Sequence, residues 1–108
     1  MPKYIFVYLG GRQPESPEEG KQHFEKYQQW LSSLADKVVS PAIPFKDTHT
    51  IHSNRSAEAG TTTLISGMSI LEFASMTEAL EAAQACPFLE IDGTLEVSEM
   101  VEMPSKLN

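Results

Sequence analysis

Residues 4–9 form a segment that is apolar on both of its sides, and this feature constrains the fold more than any other. β-Branched and aromatic residues dominate the segment, which favours an extended strand. Successive side chains of a strand point to opposite faces. The aliphatic side consists of Ile5, Val7 and Leu9, and the aromatic side consists of Tyr4, Phe6 and Tyr8. A strand of this kind is covered on both faces, so the fold needs a layer on each side of it.

A helix is predicted from residue 17 to about residue 35 by a strong start signal. Ser16 is a favourable N-cap, Pro17 suits the first helical position, and Glu19 completes a capping box. Apolar residues then recur at three- and four-residue spacing, which predicts a buried stripe. The stripe consists of Phe24, Tyr27, Leu31 and Leu34, and Trp30 widens it on one side.

A second helix is predicted to begin after Ser75, where Glu78 repeats the capping-box pattern. It ends before Pro87, because the residue that precedes a proline, Cys86, is disfavoured in α-helical geometry. The predicted buried stripe consists of Met76, Ala79, Leu80 and Ala83.

The remaining strands complete a recognisable order. Residues 67–73 and 94–103 are predicted strands, and residues 46–53 are a weaker one. Residues 38–45 contain two prolines and are predicted to be an extended connection rather than a central strand. The resulting order, β-α-β-β-α-β, predicts a ferredoxin-like split βαβ fold of the α+β class. Right-handed crossovers then give an antiparallel sheet with both helices on one face.

This arrangement leaves the second face of the sheet uncovered. The residues expected on it are Tyr4, Phe6, Tyr8, Met68 and Ile70. At about 25 cal/mol per Å², burying a few hundred Å² of such surface is worth several kcal/mol. The simplest cover is a second copy of the chain, so we expect a homodimer that packs sheet against sheet.

Composition limits the protein class and its partners. The 108 residues predict a single domain spanning 1–108. A net charge of −7 argues against nucleic acid and against anionic membranes as partners. No apolar run approaches the roughly 20 residues that span a bilayer, and no signal peptide is recognisable, so a cytoplasmic location is expected. The single cysteine, Cys86, excludes an internal disulfide and a cysteine zinc cluster.

Four segments resemble the YCII-related family, including its DGPF-type branch. They are residues 3–8 (KYIFVY), 67–73 (GMSILEF), 75–83 (SMTEALEAA) and 85–97 (ACPFLEIDGTLEV). The resemblance implies the dimeric α/β-barrel version of the ferredoxin-like fold. It also implies a His/Asp pair, with the histidine in the first helix and the aspartate just before a proline after the second helix. His23 matches the histidine, whereas Cys86 stands at the position of the aspartate.

Three residues are candidates for chemistry. His23 is the candidate catalytic residue, because an imidazole is a suitable general base near neutral pH; the alternative is a partly exposed helix residue. Cys86 is a candidate nucleophile, although the end of a helix raises a thiol pKa and small buried cysteines are common. Glu99 interrupts an apolar strand face. If it is buried, its carboxyl group is an acid of raised pKa; the alternative is a residue at the strand edge that reaches solvent.

A small-molecule pocket is expected between the first helix and the sheet. Its predicted wall consists of Tyr8, His23, Tyr27, Trp30 and Met68. Tyr8 would direct a hydroxyl into the pocket or serve only in packing. We expect no metal, because His49 and His52 are three residues apart on a predicted strand and point to opposite faces. We also expect no cofactor, because neither Gly-rich phosphate-binding pattern is present.

Two functions remain open from the sequence. One is a cofactor-independent enzyme acting on a small molecule, of the isomerase, lyase or oxygenase type. The other is a binding or accessory module that uses the same pocket without catalysis.

Overall fold

The computed structural model describes residues 1–103, so the last five residues of the predicted domain 1–108 lie outside the described part. Six strands, two α-helices and two short 3₁₀ helices make up the fold. In chain order these are β1 (Lys3–Gly10), α1 (Pro17–Leu34), a 3₁₀ helix (Ala35–Lys37), β2 (Val38–Pro44), β3 (His49–Ile51), β4 (Ala57–Ala59), β5 (Ile65–Glu72), α2 (Met76–Gln84), a 3₁₀ helix (Pro87–Ile91) and β6 (Gly93–Glu99).

The main sheet has four strands in the order β2-β5-β1-β6, and every neighbouring pair is antiparallel. Buried residues of both helices join one cluster with one face of β1, so both helices cover the same face of the sheet. The predicted ferredoxin-like α+β fold is confirmed.

Both helices begin where their caps predict. The Ser16 hydroxyl accepts a hydrogen bond from the Glu19 backbone N–H at 3.1 Å, and the Ser75 hydroxyl accepts one from the Glu78 backbone N–H at 3.3 Å. Each bond satisfies a donor that a helix N-terminus otherwise leaves unpaired. The second helix ends at Gln84, two residues before the Cys86-Pro87 step.

The prediction that the aromatic side of β1 lies on the uncovered face is wrong. Tyr4, Phe6 and Tyr8 are 1%, 0% and 5% exposed and form the centre of the core beneath the helices. Large rings fit there because α2 presents only small side chains, Ala79 and Ala83, toward them. Either side of β1 is apolar enough to be buried, so its alternation alone did not distinguish the two faces.

The open face of the sheet carries an aliphatic row on β1 and β5, beside polar residues of β6. In the register of β1 with β5, Ile5 lies opposite Ile70 and Val7 lies opposite Met68, so all four point away from the helices. Leu9 continues this row, and each of the five is only partly buried. Met68 and Ile70 were correctly placed on the open face, where they accompany the aliphatic side of β1.

The second strand of the sheet lies earlier in the chain than predicted. Residues 38–44 form β2 at the edge of the sheet, with two irregularities in its register. Pro41 and Pro44 are tolerated there because an edge strand leaves N–H positions that need no partner. Residues 46–53 instead contribute β3, which pairs only with β4 in a separate two-stranded hairpin.

Some predicted core positions are solvent-facing. Phe24 is 61% exposed, and on α2 Met76 and Leu80 are 37% and 44% exposed. The last strand ends at Glu99, and Val101 beyond it is 83% exposed. Within residues 1–103, neither helix combines the length and the apolar character needed to cross a membrane.

Candidate functional site

A cavity of about 580 Å³ opens between α1, β2 and the start of β5. Its size falls in the range of pockets that hold small organic molecules. Apolar side chains dominate the wall, among them Phe24, Leu31, Pro41, Ala42, Pro44 and Phe88. Among residues 1–103, the ionisable side chains that line it are His23, Tyr8 and Tyr27, with no carboxylate, lysine or arginine.

Local sequence explains the helical wall of the cavity. His23, Tyr27 and Leu31 are four residues apart, so they follow one another along one face of α1. His23 and Tyr27 are partly buried there. The structure therefore brings together three of the residues predicted from sequence, His23, Tyr27 and Tyr8, at the predicted place between α1 and the sheet.

Gly67 shapes the opposite wall. A Cβ atom at this position would lie 2.7 Å from the Ile43 carbonyl oxygen, closer than packing allows. The absence of a side chain lets β2 approach β5 and brings the backbone of both strands to the cavity.

A chain of three hydroxyl groups leads from the cavity into the core. The Tyr27 hydroxyl lies 3.3 Å from the Tyr8 hydroxyl, which lies 2.8 Å from Ser69 Oγ. Tyr27 and Tyr8 line the cavity, whereas Ser69 is fully buried behind them. Ser69 was not among the residues predicted from sequence. It lies on the same strand face as Leu71 and Phe73, and a polar residue at such a core position could have indicated a buried hydrogen bond.

Burial raises the pKa of both tyrosines. For Tyr8, desolvation is the main cause, and its hydrogen bond with Ser69 acts in the opposite direction. Desolvation is also the main cause for Tyr27, opposed by its hydrogen bond with Tyr8. Both phenols therefore keep their protons throughout the physiological range and can donate hydrogen bonds.

Phe88 forms the end of the cavity next to Tyr8, and sequence analysis did not identify it. The two rings meet edge to face with centroids 5.1 Å apart. A Cβ atom on Gly93 would lie 2.3 Å from the Phe88 ring, and one on Gly11 would lie 2.8 Å from it. The two glycines thus leave the space that the ring occupies.

Cys86 lies in the core and does not line the cavity. It is 2% exposed. Burial raises the pKa of its thiol to about 11, so the thiolate that a nucleophile requires is not populated near neutral pH. Of the two interpretations of Cys86, the structure therefore agrees with a small buried core residue and not with a nucleophile.

The other predicted pocket residues lie elsewhere. Trp30 is 6% exposed and its Nε1 donates a hydrogen bond to the Ala82 carbonyl at 3.0 Å, which joins the two helices within the core. Met68 points to the open face of the sheet, because the inward positions of β5 are those of opposite parity. Glu99 is exposed at the end of β6, where it pairs with Tyr4 in the register.

His49 and His52, the two histidines of the hairpin, each contact a carboxylate and do not face a common metal position. His49 lies 3.1 Å from Asp47, and His52 lies 2.8 Å from Glu58. Within the described residues, no three histidine, cysteine or acidic side chains come together as a metal site would require.

Comparison with known proteins identifies a relative in fold. No family model matches the sequence, and no curated protein matches it. Among solved structures, the chain is similar to 5-chloro-2-hydroxyhydroquinone dehydrochlorinase (TftG) from Burkholderia phenoliruptrix AC1100, solved in complex with 2,5-dihydroxybenzoquinone. The TM-score is 0.56 at 17% sequence identity, over 97% of this chain and 98% of the other. At this identity the similarity concerns the fold.

Proposed function

We propose that the protein is a cofactor-independent enzyme that acts on a small molecule bound between α1 and the sheet. The observation that carries the proposal is one apolar cavity of about 580 Å³ in which His23 and the hydroxyl groups of Tyr8 and Tyr27 are the ionisable groups. An apolar pocket with a few convergent polar groups is the usual form of a small-molecule site. TftG, which has a similar fold, is an enzyme, a dehydrochlorinase.

His23 is the proposed general base. It is the one imidazole on the described wall of the cavity, and an imidazole is the most common general base in enzymes. In this proposal its imidazole takes a proton from a carbon of the bound substrate. In an isomerisation it returns the proton at another carbon, and in an elimination the bond to the leaving group breaks and the proton goes to that group or to water. Tyr27, one helical turn further along α1, provides a hydrogen bond to the same substrate.

The test begins with a thermal-shift screen of small aromatic and alicyclic metabolites, with 2,5-dihydroxybenzoquinone included because TftG binds it. Each stabilising compound is incubated with the protein and analysed by mass spectrometry. For a compound that is converted, we expect His23→Gln to lower turnover by about 100-fold or more and to leave the thermal shift nearly unchanged.

His52→Gln is the matched control, because His52 is on the hairpin and contacts Glu58 rather than the cavity. Its turnover should equal that of the wild type. Unchanged turnover in His23→Gln would contradict the role proposed for the imidazole.

A ligand-binding module without catalysis is the second candidate. It is favoured by the absence of a carboxylate on the described cavity wall, and by the buried, protonated Cys86 at the position that resembles the family's aspartate. Glu90 interacts with His23 only through charge, and its hydrogen bond goes to Lys26 at 2.8 Å, so this carboxylate does not orient the imidazole for proton transfer. Stabilisation of about RT ln(1 + [L]/Kd) by a compound that yields no product would support this candidate.

We propose that the protein forms a homodimer through the open face of its sheet. The protomer exposes 7637 Å², whereas a compact 12.0 kDa monomer exposes about 6,000 Å². Its radius of gyration is 15.7 Å, compared with about 13 Å for a compact chain of this length. The β3–β4 hairpin, which pairs with no strand of the main sheet, accounts for part of this excess, and the open face of the sheet contributes as well. The aliphatic row of Ile5, Val7, Leu9, Met68 and Ile70 is the surface that a second copy would cover.

Membership in the YCII-related family and organisation as one domain over residues 1–108 belong to the same proposal. The ferredoxin-like sheet order and the position of His23 on the cavity wall support them. A cytoplasmic location is proposed as well, because the single cysteine of the sequence is a buried free thiol.

A further inference from the structure

We propose that Phe88 limits the length of the molecule that the cavity accepts, and that this molecule binds with an apolar end directed toward the Phe88 ring. This inference rests on the proposed function, since it concerns the ligand of the same cavity. Phe88 belongs to the 3₁₀ helix Pro87–Ile91. Within the described chain, it is the one wall residue that comes from neither α1 nor a strand of the sheet.

The cavity runs across the strands of the sheet. The strand order is β2-β5-β1-β6, and the wall includes Ala42 of β2, Gly67 of β5 and Tyr8 of β1. Among the described residues of the wall, none comes from β6. Neighbouring strands are about 4.8 Å apart, so three strands give the cavity a length of about 10 Å. At the β2 end Ile43 is 47% exposed, and the cavity opens to solvent there.

Phe88 closes the cavity at the point where it would otherwise continue over β6. A Cβ atom on Gly93, the first residue of β6, would lie 2.3 Å from the Phe88 ring, so the ring rests directly on the backbone of this strand. Gly93 is on the same side of β6 as Leu95, which packs against the core beneath the helices. The other edge of the ring reaches Gly11, where a Cβ atom would lie 2.8 Å away. Because this end is closed and apolar, the apolar end of a ligand loses most contact with water by pointing toward it.

Removal of the Phe88 ring should extend the cavity rather than let it collapse. Gly11 and Gly93, which contact the ring, have no side chain that could move into the vacated space. Tyr8 meets the ring edge to face at 5.1 Å and is held by its 2.8 Å hydrogen bond with Ser69. Space that the surroundings do not fill stays available to an apolar ligand. A longer ligand can then occupy the place of the ring.

The experiment measures dissociation constants by ligand-observed NMR for 4-ethylphenol and 4-butylphenol, which differ by two methylene groups. Burial of one methylene group raises affinity about fourfold. In the wild type we expect the two constants to differ by less than about threefold, because the closed end leaves the added methylene groups near solvent. In Phe88→Ala 4-butylphenol should bind about tenfold more tightly than 4-ethylphenol, since both groups can enter the vacated space.

Phe88→Leu is a second variant, which keeps an apolar side chain and disturbs the core less. It leaves a smaller space, so the ratio of its two constants should lie between those of the wild type and Phe88→Ala. Leu89→Ala is the matched control, because Leu89 is on the same 3₁₀ helix, is 41% exposed and does not line the cavity. Its ratio should equal that of the wild type. Circular dichroism establishes that each variant is folded before binding is measured.

An unchanged ratio in the folded Phe88 variants would overturn the inference. So would an equal rise in Leu89→Ala, since any truncation in the 3₁₀ helix would then have the same effect. Saturable binding of neither phenol, to the wild type or to Phe88→Ala, would overturn it as well. These outcomes are measured as binding and concern only the length of the ligand, whereas failure of the proposed enzyme is measured separately as turnover in His23→Gln.

Discussion

Ser69 illustrates how a single polar residue fixes the arrangement of the core. A buried hydroxyl without a partner costs roughly 1–3 kcal/mol, and Ser69 avoids this cost through its 2.8 Å contact with Tyr8. The same contact fixes the Tyr8 ring, and Phe88 packs edge-on against that ring at 5.1 Å. The shape of the cavity therefore depends on a residue that does not line it.

Cys86 should be unreactive in the native protein. Because burial raises its thiol pKa from 9.0 to about 11, little thiolate forms at pH 8. We expect iodoacetamide at pH 8 to label the urea-unfolded protein within minutes and the native protein far more slowly, as followed by intact-mass spectrometry. Native labelling at the unfolded rate would contradict this burial.

The same pKa shift has a consequence for stability. The folded state favours the neutral thiol, so its contribution is complete below pH 9 and is lost as the pH rises toward 11. The raised pKa values of Tyr8 and Tyr27 act in the same direction at still higher pH.

Two glycine-to-alanine substitutions should have opposite effects. In Gly93→Ala the new Cβ would lie 2.3 Å from the Phe88 ring, so we expect a loss of about 1–3 kcal/mol in the free energy of unfolding. In Gly20→Ala the nearest atom is Pro14 Cγ at 3.3 Å, and alanine is favoured over glycine inside a helix by about 1 kcal/mol. Urea denaturation measures both, and a neutral Gly93→Ala would show that Phe88 is not tightly held.

At the scale of elements, the helices follow local rules and the second strand does not. The capping boxes that begin with Ser16 and Ser75 each span four residues of sequence, so the first residues of both helices were predictable. Residues 38–44 and 46–53 both have strand-forming residues, and neither is decisive by itself. Residues 38–44 form the edge strand of the main sheet, because an edge position accommodates Pro41 and Pro44.

Removing the cap of α1 tests how far this helix depends on its start. Ser16→Ala removes the acceptor of the Glu19 N–H, and we expect it to lower the free energy of unfolding by about 1 kcal/mol. Ser32→Ala, in the last turn of the same helix and exposed, is the control and should change stability by less than about 0.5 kcal/mol. Equal effects in urea denaturation would mean that the cap contributes nothing specific.

At the scale of the whole molecule, the protomer is thin. Its principal extents are 44, 36 and 19 Å, which correspond to one layer of helices on one sheet. The β3–β4 hairpin adds to the exposed area, since it pairs with no strand of the main sheet. A chain of this shape has a large sheet face available for a partner, and the aliphatic row of β1 and β5 lies on that face.

A charge on the open face should prevent association. Ile70 lies opposite Ile5 in the aliphatic row and opposite Ser40 on its other side, so Ile70→Lys would bury an unpaired ammonium in the proposed interface. We expect sedimentation equilibrium to give the dimer mass for the wild type and the monomer mass for Ile70→Lys. Met68→Lys should behave alike, and Gln29→Lys on the exposed side of α1 should remain dimeric. A folded wild-type monomer at micromolar concentration would refute the dimer.

The sequence by itself determined both helix starts and the placement of His23 and Tyr27 on one face of α1, because each depends on contacts within a few residues. It also predicted that β1 is covered on both sides, and the proposed homodimer would provide the second cover. Only the tertiary structure decided that the aromatic side of β1 packs under the helices, that Met68 points away from the cavity, and that Ser69 completes the hydroxyl chain. Alternation assigns residues to two faces without saying which face receives the helices. That choice follows from how the rings of Tyr4, Phe6 and Tyr8 fit against the small residues of α2, and those contacts join segments far apart in the chain.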